Sequence, residues 1–469
     1  MTETAQLDRI EWPVWRIAII TASRAFLSSI DASVVAVGLD TIGADLHTDL
    51  AQVQWVSSIY LIGVAVAMPL SGWLGGRLGA GRLWIWMMAA FTLLSVLCAL
   101  APTVETLIAA RAAQGFAGGM LIPAGQTLIG QAVGSSRLGR VMGTLGVVVS
   151  LGGAAGPTLG GFLLDNLSWP WLFWINLPIG VLAVALGHRY VPRGATVPVT
   201  RFDWRGFALV GAGLPLVIYG LTVWGERTSL TTTVAGSLIL GFAAILAFSA
   251  HSLRRTDPLL DLRLFTDRVY AAAVLSVFLI GAAMFGGIII QPLYFQILLD
   301  KSAGATGVFL LWYGLGTSFI MLVAGRLADR HGGGIVAVAG TALMVATTIP
   351  FAFLGSSPNE PLVLALLFAR GAGTGLAMMP AMTAAYAAIE SSRLGQATAQ
   401  VNIAMRVGGA LGGALFTVAL AASLASGALG AFHQTFWYLT ATSLAATAAA
   451  VWLRSASIHA RQSLIEGAP

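Results

Sequence analysis

Asp31 and Arg111 each sit inside an apolar run long enough to cross a lipid bilayer. Charge is costly there and usually serves a purpose. A carboxylate in such a setting can take up and release a proton, whereas a guanidinium stays charged. Asp31 falls late in its run, 14–39, and Arg111 falls early in its own, 106–131. If the first run enters from one side and the fourth from the other, the two charges reach comparable depth. The expectation is a proton-carrying Asp31 tuned by Arg111. A fixed ion pair that only locks two helices is the alternative, and the residues leave both open. Arg24 stands seven residues before Asp31. That puts it on nearly the same helix face, about 10 Å away along the axis, able to pair with Asp31 or line a cavity.

Other chemistry finds few residues to carry it. The one cysteine, Cys98, permits no intramolecular disulfide and reads as a small buried hydrophobe. The histidines show no helix-spaced pair for zinc, and the glycine-rich stretches lack the lysine of a nucleotide loop. The expectation is therefore no enzyme, no metal and no cofactor. Work would be driven by an ion gradient.

Amide, aromatic and methionine side chains within the apolar runs could line an adaptable cavity. The candidates are Gln114, Gln126, Phe285, Gln291, Tyr294, Gln296, Met378, Met379, Asn402 and Arg406. Taken singly, each of them is explained better by helix packing than by contact with a substrate. Arg370 and Arg406 also lie within apolar runs, and Asp31 is the clearest deep carboxylate. A cavity so poor in acids leans toward neutral or anionic substrates.

Composition places these residues on membrane-spanning helices. The 469-residue chain is only 9% charged, where soluble proteins carry about 25%, and its mean hydropathy is +0.85. It is an all-α integral membrane protein on this reading. Fourteen runs near the required 20 residues fall at 14–39, 53–75, 83–101, 106–131, 139–164, 170–190, 206–224, 230–252, 269–298, 305–326, 334–354, 361–388, 397–423 and 434–453. The net charge of +6 is a topology signal rather than a nucleic-acid patch. Arginines such as Arg77, Arg82, Arg137, Arg140, Arg254, Arg255 and Arg393 crowd one set of loops, while the other set holds only Arg227 and Lys301. By the positive-inside rule both termini are cytoplasmic. Trp15, Trp84, Trp86, Trp171 and Trp174 lie near run ends and read as interface anchors.

The chain also repeats itself. SSRLG occurs at 135–139 and again at 391–395, an offset of 256, and Gly152 and Gly156 recur at the same offset as Gly408 and Gly412. LIAARAAQG (107–115) parallels LLFARGAGTG (366–375), with an arginine in each. Two six-helix bundles, residues 1–190 and 269–469, are thus separated by a linker, 191–268, that carries two extra transmembrane helices. Parallel repeats of this kind build a known transporter architecture. Gly152, Gly156 and Gly160 in GGAAGPTLGG recur every four residues, giving one face for close helix approach. Pro157 there removes a hydrogen bond and permits a bend.

These motifs together resemble the major facilitator superfamily, in its fourteen-span drug–proton antiporter branch. IDASVVAVGLDTI (30–42) is similar to that branch's first-helix motif, with Asp31 intact, and Arg111 matches its fourth-helix arginine. GWLGGRLGAGR (72–82), with Arg77, resembles the loop after the second helix, and GRLADRHG (325–332), with Asp329 and Arg330, is its repeat copy. GGAAGPTLGG resembles the fifth-helix antiporter motif, TDPLLDLRLF (256–265) the entry to the second half, and VNIAMRVGGALGG (401–413) a late repeat helix. The chain departs from the pattern where Gly76 replaces the usual aspartate, and where Ser33, Ala36 and Asp40 stand for threonine, asparagine and proline.

The resemblance implies proton-coupled efflux of drugs or other small amphipathic molecules by alternating access. A monomer in a bacterial plasma membrane would exchange substrate for protons, with lipid as its surroundings and no nucleic acid. Gly152, Gly156, Pro157, Gly160, Arg77, Asp329 and Arg330 would serve the moving interface. A dedicated exporter of one metabolite or self-made antibiotic is the alternative, and a non-transporting membrane sensor or scaffold is another.

Overall fold

The computed structural model describes residues 11–133, 137–194, 196, 201–425 and 427–466. Sixteen α-helices and three short helical turns make up the described chain. The helices of the first half are α1 Trp12–Asp45, α2 Leu50–Ala67, α3 Leu70–Leu78, α4 Ala80–Ala99, α5 Val104–Val133, α6 Leu138–Asn166, α7 Trp171–Trp174 and α8 Asn176–Tyr190. An inserted hairpin follows, α9 Trp204–Arg227 and α10 Thr232–Arg254. The rest are α11 Arg268–Leu293, α12 Ala303–His331, α13 Gly333–Thr348, α14 Glu360–Ala387, α15 Leu394–Leu424 and α16 Ala428–Glu466. Ten helical segments among the described residues are long and apolar enough to cross a membrane, and a bent pair, Gln52–Ala67 with Leu70–Leu78, makes up to eleven.

Two compact units divide the chain. One holds Met1–Arg201 and Glu390–Thr398, the other Phe202–Ile389 and Ala399–Pro469, so the inserted hairpin belongs to the second. The internal repeat is visible in where helices begin. Helices α1, α5 and α6 start at 12, 104 and 138, and α11, α14 and α15 at 268, 360 and 394, each 256 further on.

Three sequence expectations change. The second run is not one straight helix: it breaks at Met68–Pro69, and the two pieces meet at 56°. Proline lacks the N–H that would continue the ladder and crowds the preceding turn. The stretch GWLGGRLG, read as a loop, is largely helical and ends only at Gly79, whose φ of 88° favours a residue without a Cβ. Its repeat copy behaves alike: α12 runs through Asp329 and Arg330 to His331 before Gly332 turns at φ 90°. Trp84 is not an interface anchor. It is 0% exposed, packed where Gly187 lets its ring approach, whereas Trp86 and Trp171 are exposed.

The glycine-rich stretch stays helical throughout α6, 29 residues in all. Each glycine costs about 1 kcal/mol of helix propensity, and helix-to-helix closeness offsets it. A Cβ on Gly160 would lie 3.3 Å from Val34 Cα of α1. In the second unit a Cβ on Gly408 or Gly412 would collide with the carbonyls of Phe278 and Ala282 of α11. Gly152 and Gly156 are buried, and the side chain of Pro157 lies outside the described residues.

The inserted hairpin is latched by a residue that the sequence reading passed over. Asp203 is buried at the start of α9, where Oδ1 accepts from Gly206 N–H at 3.0 Å and meets His251 Nε2 of α10 at 2.8 Å. Its Oδ2 accepts from Leu259 N–H at 3.2 Å, and Arg255 approaches to 3.5 Å. The hairpin packs on α15 through Val217, Leu221 and Ala414. Burial raises the Asp203 carboxyl, but the bonds from Gly206, His251 and Leu259 outweigh it and hold the group below the usual carboxylate range. A depressed carboxyl contributes stability above its unfolded value and loses it as pH falls through the folded one. Asp203→Ala should therefore lower the melting temperature in detergent at neutral pH, by a loss of about 1–3 kcal/mol. It should also flatten the acid limb below about pH 4, where wild type loses this contribution. Thermal unfolding across a pH series checks both.

Candidate functional site

The charged pair of the sequence reading is real in space. Asp31, from the middle of α1, and Arg111, from the second turn of α5, meet at 2.8 Å between Oδ2 and Nη1. They are 0% and 1% exposed. Both belong to the first unit. At that exposure bulk solvent does not offset the cost of burying these charges, so the pair must be held by its neighbours.

Those neighbours come from four other places in the chain. Arg111 Nη1 also donates to Gln114 Oε1 at 2.7 Å, one turn along α5, and Nε donates to the Val56 carbonyl of α2 at 3.2 Å. The guanidinium lies 4.2 Å from the Tyr60 ring centroid and 5.6 Å from that of Phe173, within cation–π range. On the other side Asn176 Nδ2 donates to Asp31 Oδ1 at 3.0 Å and to Ser95 Oγ at 2.9 Å, and Ser95 Oγ donates on to the Phe173 carbonyl at 3.0 Å. Cys98 abuts the cluster, its Sγ 3.6 Å from Gln114 Oε1.

Three polar atoms of this cluster are buried without a hydrogen-bond partner: Gln114 Nε2, Asn176 Oδ1 and Tyr60 Oη. Buried polar groups are normally satisfied, and such exceptions collect where something else must bind or move. The arrangement is therefore a polar island with spare donors and a spare acceptor around one ionisable carboxylate. Asn176, Ser95 and Tyr60 were missed from sequence. Asn176 opens α8 directly after WLFWI, and a lone asparagine inside a span was the available cue.

The other candidates scatter. Gln114 joins the site. Gln126 and Met379 are half-buried, Met378 is buried, and Phe285 and Gln296 are exposed. Tyr294 is fully buried among Phe295, Phe351, Phe432 and Phe436, with its hydroxyl on the Gly355 carbonyl at 3.2 Å, so its ring belongs to an aromatic core. Gln291 is buried with Nε2 unpartnered. Asn402 is buried and hydrogen-bonds Tyr386, and Arg406 is half-buried. The side chain of Arg24 lies outside the described residues. Arg77 is exposed and lies over the Trp73 ring at 5.3 Å, Asp329 is half-buried and Arg330 exposed.

Arg370 corrects the sequence parallel with Arg111. Gly115 of α5 packs on the Tyr60 carbonyl and Gly119 on that of Val64, and 256 residues later Gly371 packs on Tyr313 and Gly375 on Thr317. In that register Arg370 stands where Gln114 does, and Leu367 stands where Arg111 does.

The profile of the Major Facilitator Superfamily matches residues 22–413 and, again, 273–467. The chain belongs to the major facilitator superfamily. It is therefore a membrane transporter by family and not an enzyme. Relatives in the superfamily include the multidrug resistance protein B homolog of Mycobacterium tuberculosis, 34% identical over 88% of this chain and 77% of that protein. A putative multidrug resistance protein, MdtD, of Serratia proteamaculans is 30% identical over 76% of this chain and 74% of its own length. The riboflavin transporter RibZ of Clostridioides difficile is 27% identical over 94% of each. Among solved structures, the proton:xylose symporter XylE superposes with a TM-score of 0.62 over 92% of this chain and 94% of its own, at 15% identity. The superfamily's all-helical fold is what that likeness shares.

Proposed function

We propose that this transporter exports small amphipathic molecules, drugs among them, across the bacterial plasma membrane in exchange for protons. In this reading fourteen spans cross the bilayer with both termini in the cytoplasm, and a monomer works by alternating access without a bound cofactor. The observation that carries it is the buried Asp31–Arg111 pair with its three unpartnered neighbours. The relatives named for multidrug resistance support the substrate class.

The site is built so that Asp31 can change charge without stranding Arg111. When Asp31 is protonated, the guanidinium keeps Gln114, the Val56 carbonyl and the Tyr60 and Phe173 rings. A protonated Asp31 becomes a donor, and a turn of the Asn176 amide offers it the unpartnered Oδ1. Two protonation states thus have two hydrogen-bonding patterns, each biasing the helices that carry them. The glycine faces of α6 and α15, together with Arg77, Asp329 and Arg330, serve the movement.

A dedicated carrier of one compound is the second reading, favoured by the relative named a riboflavin transporter. Everted membrane vesicles distinguish the two. Uptake of several unrelated dyes, driven by an imposed proton gradient and abolished by a protonophore, is the expected result. Uptake of a single compound supports the dedicated carrier, and gradient-independent behaviour with every compound overturns proton coupling.

A further inference from the structure

A second buried arginine, in the other unit, has no carboxylate partner among the described residues. Arg370 of α14 is 1% exposed. Its Nη2 donates to the Ala283 carbonyl of α11 at 3.0 Å, Nη1 donates to Thr348 Oγ1 of α13, and Nε has no partner. Arg111, by contrast, has Asp31. Carried forward by 256 residues, Asp31 falls on Gly287, and a Cβ there would lie 2.6 Å from Arg370 Nη2. The neighbouring turn supplies Ala283, so neither position offers an acid.

One turn beyond Gly287, at the same four-residue spacing along α11, lies Gln291, 1% exposed with Nε2 unpartnered. The unsatisfied atoms, Arg370 Nε and Gln291 Nε2, are both donors. An unsatisfied donor on a buried cation, with a second one turn along the helix that Arg370 contacts, calls for an acceptor that carries negative charge.

We propose that Arg370, assisted by Gln291, anchors a carboxylate borne by the transported molecule, so that organic acids are substrates. This deepens the export reading and rests on it. The guanidinium is covered in the present structure, so the carboxylate reaches it in another state of the cycle. A planar guanidinium holds a carboxylate through paired hydrogen bonds, which a lysine reproduces only as a point charge.

The test uses the purified full-length transporter in detergent and the fluorescent probe dansylglycine beside its methyl ester, which lacks the charge. Wild type should bind the acid more tightly than the ester. Arg370→Gln should weaken the acid by roughly tenfold or more and the ester by less than about twofold, and Arg370→Lys should recover part of the difference. Gly287→Asp guards against a misfolded variant. The atoms its side chain meets are the far end of Arg370, which can shift, so the new carboxylate should pair with it. That variant should lose the acid preference while its melting temperature rises.

Equal weakening of acid and ester in Arg370→Gln would overturn the assignment, as would an intact acid preference in Gly287→Asp or no preference in wild type. Binding needs no gradient. A wild type that prefers the acid yet ignores proton gradients in vesicles would overturn proton coupling and leave the carboxylate assignment standing.

Discussion

Asp31→Asn should abolish gradient-driven transport while leaving substrate binding close to wild type. Asparagine keeps the size of the side chain and one acceptor toward Arg111, but it cannot exchange a proton. If proton and substrate are linked through Asp31, wild-type affinity for dye should change by about 5–150-fold between the two protonation states, the usual range for coupled sites. In the variant that pH dependence should vanish, and accumulation in everted vesicles should fall to that of protein-free membranes. A variant that binds dye but still accumulates it along a proton gradient would move the proton elsewhere.

The second large effect concerns the other half of the pair. Arg111→Met leaves Asp31 buried with Asn176 as its remaining partner, and removing one member of a buried pair costs about 3–5 kcal/mol. Asp31→Asn costs less, because Arg111 retains Gln114, the Val56 carbonyl and two aromatic rings. The single variants should therefore be unequal: Arg111→Met strongly lowers melting temperature and yield, and Asp31→Asn does so mildly. Adding Asp31→Asn to Arg111→Met removes the stranded charge and should recover most of the lost stability without recovering transport. This separation tells a purely structural ion pair from a coupling one. If the double variant regains both stability and gradient-driven transport, the pair is only a fastener.

The two charges could be matched from sequence because depth in a span follows from counting residues, and Asp31 and Arg111 counted to the same depth. The repeat was equally legible, since helices that begin 256 residues apart preserve their glycines. Partners brought by packing were not. Asn176 and Ser95 are distant in sequence from Asp31, and nothing local marks them as facing it. Local motif matching also misled at Arg370: the letters align it with Arg111, whereas the glycine contacts place it three residues off, opposite Gln114. Trp84 shows the same weakness, because position near a run end does not say which face of a helix turns inward. Propensity alone penalises the glycine stretch, but its four-residue spacing marks a face for close approach, and α6 meets α1 at Gly160. The latch at Asp203 lies at the entry to the first of the two extra helices, where no motif marks it.

The most direct measurement is proton release on substrate binding. Purified transporter in weakly buffered detergent solution, with a pH-indicator dye, is mixed with a substrate identified in the vesicle assay. If Asp31 is the carrier, binding to wild type displaces a proton in the pH window where Asp31 is protonated, and binding to Asp31→Asn displaces none. Equal proton release from both proteins, with binding intact in each, would contradict the account.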